Sequence, residues 1–166
     1  MVSINDIIIR NEINSGDLGY IIFLHGKIYR QEYQYGIGFE MYVATGLADF
    51  FSQYDPQKDR VWICEHDKKI IGFLLGLHRE NNCAQLRYFL IAPAYRGIGL
   101  GKKLMELFMQ FLHEKKYHSA YLWTTEEQQA AAFLYKRFGF ALSDEKVSET
   151  FGKTVKEQRY DLAIIK

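Results

Sequence analysis

Three things are scarce in this sequence of 166 residues: cysteine, proline and net charge. Cys64 and Cys83 are its two cysteines, and they lack the short spacing of a metal site, so we expect reduced thiols and no bound metal. With two prolines and no low-complexity linker, we expect residues 1–166 to form one domain. Lys and Arg number 21 against 20 Asp and Glu, a balance that argues against a nucleic-acid partner.

Long apolar runs are missing as well. No stretch approaches the roughly 18 continuous apolar residues of a membrane-spanning helix. Residues 1–10 contain no basic segment followed by an apolar run, which a signal peptide would have. We therefore expect a protein without a membrane partner that acts in the cytoplasm.

What the sequence does contain is a regular succession of apolar periodicities separated by turn residues. The predicted elements are a strand at 7–10, a helix at 18–35 with Asp17 as its N-cap, a helix at 39–54, strands at 60–65, 70–78 and 84–91, a helix at 99–115, a strand at 119–124, a helix at 127–138, and strands at 140–151 and 154–165. A meander of three strands followed by alternating strands and helices predicts a mixed α/β sheet with helices on both faces.

A glycine-rich segment joins the last strand of the meander to the following helix. Gly97, Gly99 and Gly101 alternate there, so the backbone can approach a ligand closely, and the free N–H groups of the helix start favour a phosphate. A Walker A loop is excluded because lysine, not serine or threonine, stands at position 103. A dinucleotide fingerprint is excluded because its third glycine position is Lys102. A glycine-rich connection without a ligand remains the alternative.

The segment 91–101 resembles the acetyl-CoA motif of the GNAT superfamily of N-acetyltransferases, (Arg/Gln)-x-x-Gly-x-(Gly/Ala). Arg96, Gly99 and Gly101 occupy its three defined positions. The segment 131–140 is similar to a second motif of the family. The chain as a whole resembles the acetyltransferase domain often fused behind MarR-type DNA-binding domains, here as a stand-alone version. The segments that carry this wider resemblance are 16–19, 25–26, 32–33, 39–40, 85–90, 122–124 and 149–152.

The resemblance implies the GNAT fold, in which a mostly antiparallel sheet splays between its fourth and fifth strands. It also implies acetyl-CoA as co-substrate and a primary amine as acceptor, joined in a ternary complex. By the same resemblance, the acetyl-CoA site comprises backbone groups of Phe89, Leu90 and Ile91 for the pantetheine arm, the segment Arg96, Gly97, Ile98, Gly99, Leu100, Gly101 and Lys102 for the pyrophosphate, and Gln128 where relatives often have asparagine.

The resemblance also points to catalytic residues. Tyr135 matches the family tyrosine that faces the sulfur of CoA and would protonate the leaving thiolate or stabilise it by a hydrogen bond. Some relatives carry a glutamate base on the fifth strand, but this chain has Trp123 near that place. His25 is one candidate base, because histidine titrates near neutrality. The other candidates are water relaying to a distant carboxylate and the side chains of Glu32, Glu40 and Glu126. Both Tyr135 and His25 could instead be structural residues.

The acceptor side is predicted to lie near the first two helices, which are rich in aromatic residues. Glu32, Tyr33 and Glu40 are the predicted substrate-binding residues, since aromatic walls with a carboxylate suit an ammonium group. An ordinary core with solvated charges is the alternative. A non-catalytic sensor of acyl-CoA is the second functional hypothesis. The sequence leaves the oligomeric state open, and a homodimer is one alternative by analogy with similar proteins.

Overall fold

The computed structural model describes residues 2–164, which form one seven-stranded sheet and four α-helices. The strands are β1 Ile8–Arg10, β2 Arg60–His66, β3 Lys69–Arg79, β4 Cys83–Ile91, β5 Ser119–Thr125, β6 Ala141–Ser148 and β7 Val155–Ala163. The helices are α1 Asp17–Tyr33, α2 Ile37–Ser52, α3 Leu100–Glu114 and α4 Gln129–Arg137. The strand order across the sheet is β1-β2-β3-β4-β5-β7-β6.

The sheet is antiparallel except where β4 runs parallel to β5. These two strands pair only from Cys83 with Ser119 to Leu86 with Leu122. Beyond that point their carboxyl ends separate and leave a wedge in the sheet. The predicted mixed sheet, splayed between its fourth and fifth strands, is confirmed.

Alternate side chains of the sheet enter two separate cores. In β2, Val61 and Ile63 pack with α1 and α2 on one face, while Trp62 and Cys64 pack with α3 on the other. This alternation follows from the period of two along a strand and explains why helices cover both faces. None of the helices within residues 2–164 combines the length and apolarity that crossing a membrane requires.

The start of α1 differs from its prediction. The N-cap is Gly16, in a left-handed conformation with φ of 97°, and Asp17 is already inside the helix. The Asp17 carboxylate accepts a hydrogen bond from the backbone N–H of Asn14 and pairs with Arg10 at 2.9 Å. The predicted capping role of Asp17 is therefore wrong, because its side chain is engaged by the preceding loop and by β1.

The second helix also begins earlier than predicted, since Gly38 lies inside α2 instead of separating it from α1. A Cβ atom at Gly38 would lie 2.5 Å from the carbonyl oxygen of Thr150, so the glycine serves a close contact. The other predicted elements match to within a few residues at each end. The predicted end of the last strand, at Ile165, lies outside the described residues.

Candidate active site

The wedge owes its shape to a β-bulge in β4. Leu75 pairs with Arg87 and Phe73 pairs with Leu90, so two residues of β4 lie opposite one residue of β3. Tyr88, within the bulge, has a φ of 58°, a left-handed conformation that is uncommon for a bulky residue. Such local strain persists only where the surrounding structure enforces it, and it is often found at functional sites.

Beyond the bulge, β4 presents free backbone groups to the wedge. The backbone N–H of Ala92 donates to the carbonyl of Ile71 at 2.8 Å, which directs the groups of that residue towards β3. Because hydrogen-bonding direction alternates along a strand, the groups of Leu90 also face β3, and those of Phe89 and Ile91 face the open side. An extended ligand in the wedge can therefore pair with both backbone groups of Phe89 and with the backbone N–H of Ile91, whose carbonyl oxygen accepts a hydrogen bond from Arg96.

A cavity of about 430 Å³, here called the loop cavity, lies between this edge, the glycine-rich segment and α4. Its lining comes from α1 (Tyr29, Glu32 and Tyr33), β4 (Phe89, Leu90 and Ile91), the segment before and at the start of α3 (Arg96, Gly97 and Gly101) and the region of α4 (Glu127, Gln128, Gln129, Ala130, Ala131, Leu134 and Tyr135). The structure thus assembles most of the predicted acetyl-CoA site around one cavity.

The glycine-rich segment forms a cradle of backbone N–H groups. Gly97 and Gly99 have φ values of 78° and 90°, which glycine adopts without strain. From Gly97 to Lys102, no backbone N–H donates to another group within residues 2–164. These groups surround the start of α3, where the helix dipole adds partial positive charge. The cradle therefore has the chemistry that a pyrophosphate requires.

The side chains of this segment mostly point away from the cradle. Leu100 is buried in the core beneath α3, and Ile98 packs against the same core. The ammonium group of Lys102 is exposed and lies 3.6 Å from the carboxylate of Glu106. These three predicted residues can therefore bind a ligand through their backbone, as proposed for the family motif.

Arg96 holds the segment to the rest of the site. Its Nε donates to the carbonyl oxygen of Ile91 at 3.0 Å, and its Nη1 lies 2.8 Å from Glu32 Oε1. Glu32 and Tyr33 consequently line the loop cavity together with Arg96. The structure places them on the predicted acetyl-CoA side, away from the acceptor side where the sequence pattern suggested a role.

Tyr135 stands where the loop cavity meets a second cavity. Its ring packs among Phe89, Phe140 and Tyr160, with centroid distances of 6.2, 6.3 and 6.4 Å. Its hydroxyl group has no hydrogen-bond partner within the described part of the chain. Burial raises the pKa of Tyr135 above its ordinary value near 10, so the phenol keeps its proton at neutral pH.

The second cavity, here called the inner cavity, measures about 90 Å³ and lies on the α1–α2 side of the wedge. Tyr29, Phe89, Gln128 and Tyr135 line both the loop cavity and the inner cavity. The other inner-cavity residues are aromatic (Tyr35, Phe39, Tyr42, Tyr88, Trp123 and Phe151) or His25, Leu86, Arg87, Thr124, Thr125 and Glu157. A larger outer groove of about 770 Å³ shares Tyr42 and Arg87 with the inner cavity.

Gln128 is fixed at the boundary between the loop and inner cavities. Its Oε1 accepts a hydrogen bond from the Tyr29 hydroxyl at 3.3 Å, and its Nε2 donates to Thr125 Oγ1 at 3.4 Å. Gln128 therefore lines the cavity in which its contact with CoA is predicted, and its amide is already partly engaged by protein groups.

His25 lies at the inner cavity in an environment that disfavours a role as base. The side chain is 1% exposed, and its Nδ1 donates to the carbonyl oxygen of Ile21 at 2.8 Å. Its Nε2 lies towards the backbone of Tyr88 without completing a hydrogen bond there. Burial lowers the pKa of His25 to about 4, so the imidazole is neutral but a weak proton acceptor at pH 7.

Glu40 lies apart from the two cavities. A Cβ atom at Gly26 would lie 2.3 Å from Glu40 Oε2, so this carboxylate packs against α1 at a position that only glycine leaves open. The structure does not bring Glu40 together with the other predicted site residues. Within residues 2–164, no three His, Cys, Asp or Glu side chains form a group that could hold a metal ion.

Sequence reasoning missed two charged residues of the inner cavity, Arg87 and Glu157. A signal existed for Arg87, because it is the single charged residue of β4. Glu157 carried no such signal, since charged residues surround it in β7. The Glu157 carboxylate is largely buried, with 15% side-chain exposure, and lies 3.7 Å from the ammonium group of Lys146.

Comparison with known proteins shows which protein family this chain resembles. Residues 26–140 match the model of the acetyltransferase (GNAT) family. The uncharacterized N-acetyltransferase YjgM of Escherichia coli strain K12 is 29% identical over 99 residues, covering 57% of this chain and 58% of that protein. N-acetyltransferase 8F1 of Rattus norvegicus is 27% identical over 116 residues, covering 67% and 52%. This chain therefore spans little more than half the length of these curated relatives.

The fold itself recurs in solved structures. A GNAT-family acetyltransferase from Staphylococcus aureus Mu50 superposes with a TM-score of 0.79 at 20% sequence identity, covering 96% of this chain and 99% of that chain. At such low identity the likeness concerns the fold alone. It agrees with the arrangement predicted for the sheet and its helices.

Proposed function

The chain belongs to the GNAT acetyltransferase family, and from that membership we propose that it transfers the acetyl group of acetyl-CoA to an amine, with donor and acceptor bound together. The observation that carries this proposal is the meeting of two cavities at Tyr135. One cavity contains a backbone cradle suited to a pyrophosphate, and the other has aromatic walls suited to a small amine. Their shared boundary is where a group transfer between two ligands would occur.

The donor site follows from the loop cavity. Residues 97–102 would hold the pyrophosphate through backbone N–H groups, and the Arg96–Glu32 ion pair would keep that segment against β4 and α1. Phe89 and Ile91 would pair with the amides of the pantetheine arm, and one of their N–H groups would polarise the thioester carbonyl. When bound, acetyl-CoA would supply the activated acetyl group.

Tyr135 would assist departure of the CoA sulfur. A thiol titrates near 8.5, whereas the pKa of a buried Tyr135 lies above 10. A phenol that is the weaker acid does not readily give up its proton to a thiolate. We therefore assign Tyr135 as a hydrogen-bond donor that stabilises negative charge on sulfur, in preference to full proton transfer.

The acceptor amine must be neutral when it attacks, and it loses one further proton as the amide forms. Glu157 is the carboxylate among the described residues that line the inner cavity. We propose that Glu157 takes the proton that the ammonium must lose before attack, directly or through water, because His25 is too weak a base, and that the further proton passes to water as the amide forms. The aromatic side chains around it would exclude bulk water and orient the amine.

We also propose that residues 1–166 form one domain and that the enzyme acts in the cytoplasm. Two helix layers share a single sheet, which supports one domain. Cys64 and Cys83 are free thiols, which accords with a reducing compartment.

Calorimetric titration of the purified protein with acetyl-CoA, followed by measurement of free thiol in the presence of amines, tests the proposed function. Binding together with amine-dependent thiol release supports an N-acetyltransferase. Binding without release from any amine would favour the non-catalytic acyl-CoA sensor instead. Absence of acetyl-CoA binding would refute both functions.

A further inference from the structure

Arg87 is a cation without a protein partner at the boundary of the inner cavity and the outer groove. Its Nε is shielded from solvent and has no hydrogen-bond partner. Within residues 2–164, its guanidinium takes part in no ion pair or side-chain hydrogen bond. It lies instead over the rings of Tyr88 and Tyr42, with its Cζ 4.6 and 5.1 Å from their centroids. The residue as a whole is partly buried, and a shielded guanidinium N–H that lacks a hydrogen-bond partner is unfavourable, so this arrangement favours an anionic ligand.

We infer that the acceptor is a small amine that also carries a carboxylate, and that Arg87 binds this carboxylate. The inference rests on the proposed function and names the substrate class of the same site. A guanidinium presents a planar fork of donors that matches a carboxylate in a bidentate geometry. The amine of such a molecule would enter the inner cavity while its carboxylate remained at the entrance.

The neighbouring protein carboxylates do not neutralise Arg87. Glu157, in the inner cavity, has Lys146 as its ion-pair partner. Asp49 is exposed in the outer groove and lies outside ion-pair distance of Arg87. The other arginine of the groove, Arg79, differs in this respect, because both its Nε and its Nη2 donate to Gln85 Oε1. Lys58 also lines the groove and lies 3.7 Å from the carboxylate of Asp55. Among the described lysines and arginines of the groove, Arg87 is therefore the one left for a ligand.

The surroundings of Arg87 contain features that lower the stability of the fold. The left-handed Tyr88 directs two consecutive side chains of β4 to the α1–α2 face. A Cβ atom at Gly46 of α2 would lie 1.8 Å from the Tyr88 hydroxyl and 3.1 Å from Arg87 Nη2, so only glycine fits opposite them. The buried Tyr88 hydroxyl has no hydrogen-bond partner either. Strain and unpaired polar atoms at one place are typical of a binding site.

The size and charge of the site set limits on the acceptor. The inner cavity holds the volume of about three water molecules, which suits the amine end of a small molecule. A second ammonium group next to Arg87 would be repelled, so polyamines would be poor acceptors. An amino acid meets both requirements, with an amine and a carboxylate a few bonds apart.

The test uses thiol release from acetyl-CoA with three kinds of amine: the common L-amino acids, their carboxamides, and spermidine. The proteins compared are the wild type, Arg87→Gln, Arg87→Lys and the control Arg30→Gln, which removes an exposed charge that lines none of the three cavities. We expect the wild type to prefer a free amino acid over its carboxamide by about 10- to 100-fold in kcat/KM, the range that one charge-assisted contact supplies.

In Arg87→Gln the KM for the amino acid should rise by about the same factor, while the KM for acetyl-CoA and the rate with the carboxamide stay unchanged. Arg87→Lys should retain part of the preference, because it keeps the charge and loses the planar fork. If Arg87→Gln does not fold, Arg87→Lys and the wild-type panel carry the test. Arg30→Gln should behave as the wild type.

The outcomes separate this inference from the proposed function. Equal or better use of carboxamides or spermidine by the wild type would overturn the inference and leave the acetyltransferase intact. Thiol release from no amine would refute the acetyltransferase, and calorimetry of the CoA-saturated protein with amino acids would then decide. Binding that Arg87→Gln weakens would support the inference, and no binding of any amino acid at millimolar concentration would refute it.

Discussion

Replacing Tyr135 by phenylalanine removes one hydroxyl group at the junction of the loop cavity and the inner cavity. The ring remains, so its packing against Phe89, Phe140 and Tyr160 is kept. Because the hydroxyl has no protein partner within residues 2–164, stability should change by less than about 1 kcal/mol. A hydrogen bond to a charged sulfur contributes about 1.5 to 3 kcal/mol. We therefore expect kcat to fall by about 10- to 100-fold.

The assay is steady-state thiol release at pH 7 with saturating acetyl-CoA and the best amine of the panel. The KM for acetyl-CoA should stay unchanged, since Tyr135 acts on charge that develops during the reaction. Tyr160→Phe is the matched control. Its ring lies 6.4 Å from that of Tyr135, but its hydroxyl contacts Gln158 and does not line either cavity.

Two results would contradict this reasoning. A kcat in Tyr135→Phe equal to that of Tyr160→Phe, with acetyl-CoA affinity retained, would remove Tyr135 from the mechanism. A loss above about 1,000-fold would mean that Tyr135 transfers its proton fully, as general acids do, and would overturn the argument from its raised pKa.

Three further predictions test other parts of the site. Gly97→Asp should bind acetyl-CoA about 10-fold more weakly than Gly97→Asn in calorimetry, because both residues tolerate a positive φ and only aspartate repels a pyrophosphate; equal affinities would refute the cradle. Glu157→Gln should lower kcat/KM about 10-fold at pH 7 and recover towards wild type at higher pH, where the amine is already neutral; an equal loss at every pH would exclude Glu157 as proton acceptor. His25, with its pKa lowered to about 4 by burial, favours folding fully above pH 6.5 and progressively less as the pH falls towards 4, by roughly 3 kcal/mol in total. In urea unfolding, the free energy of unfolding of the wild type relative to that of His25→Leu should therefore fall by this amount as the pH falls from 6.5 to 4. A difference that stays constant with pH would contradict this prediction.

Much of the donor site could be predicted from the sequence because it depends on local backbone preferences. Alternating glycines at a strand-to-helix junction indicate free N–H groups wherever the junction lies in the fold. The structure accordingly shows Gly97 and Gly99 with positive φ values and an open cradle. The order of strands and helices could also be predicted, since an apolar period of two indicates a strand and a period of three to four indicates a helix.

The acceptor side could not be predicted in the same way, because it depends on contacts between distant segments. Glu32 was expected near the amine, yet it pairs with Arg96, 64 residues away, on the donor side. His25 was a candidate base, but only its burial beneath the wedge reveals how weak a base it is. Neither fact follows from the residues that flank these positions.

The sequence by itself predicted the sheet with helices on both faces and the phosphate cradle, since each follows from a local pattern, and its resemblance to the GNAT family pointed to Tyr135. Only the tertiary structure decided which charges are paired and which remain for a ligand. The bulge at Tyr88 runs against the local preference of a tyrosine, and it is stable because β3 and the glycine of α2 at position 46 pack around it. That packing leaves Arg87 unpaired at the mouth of the inner cavity, a long-range consequence of how α2 lies on the sheet.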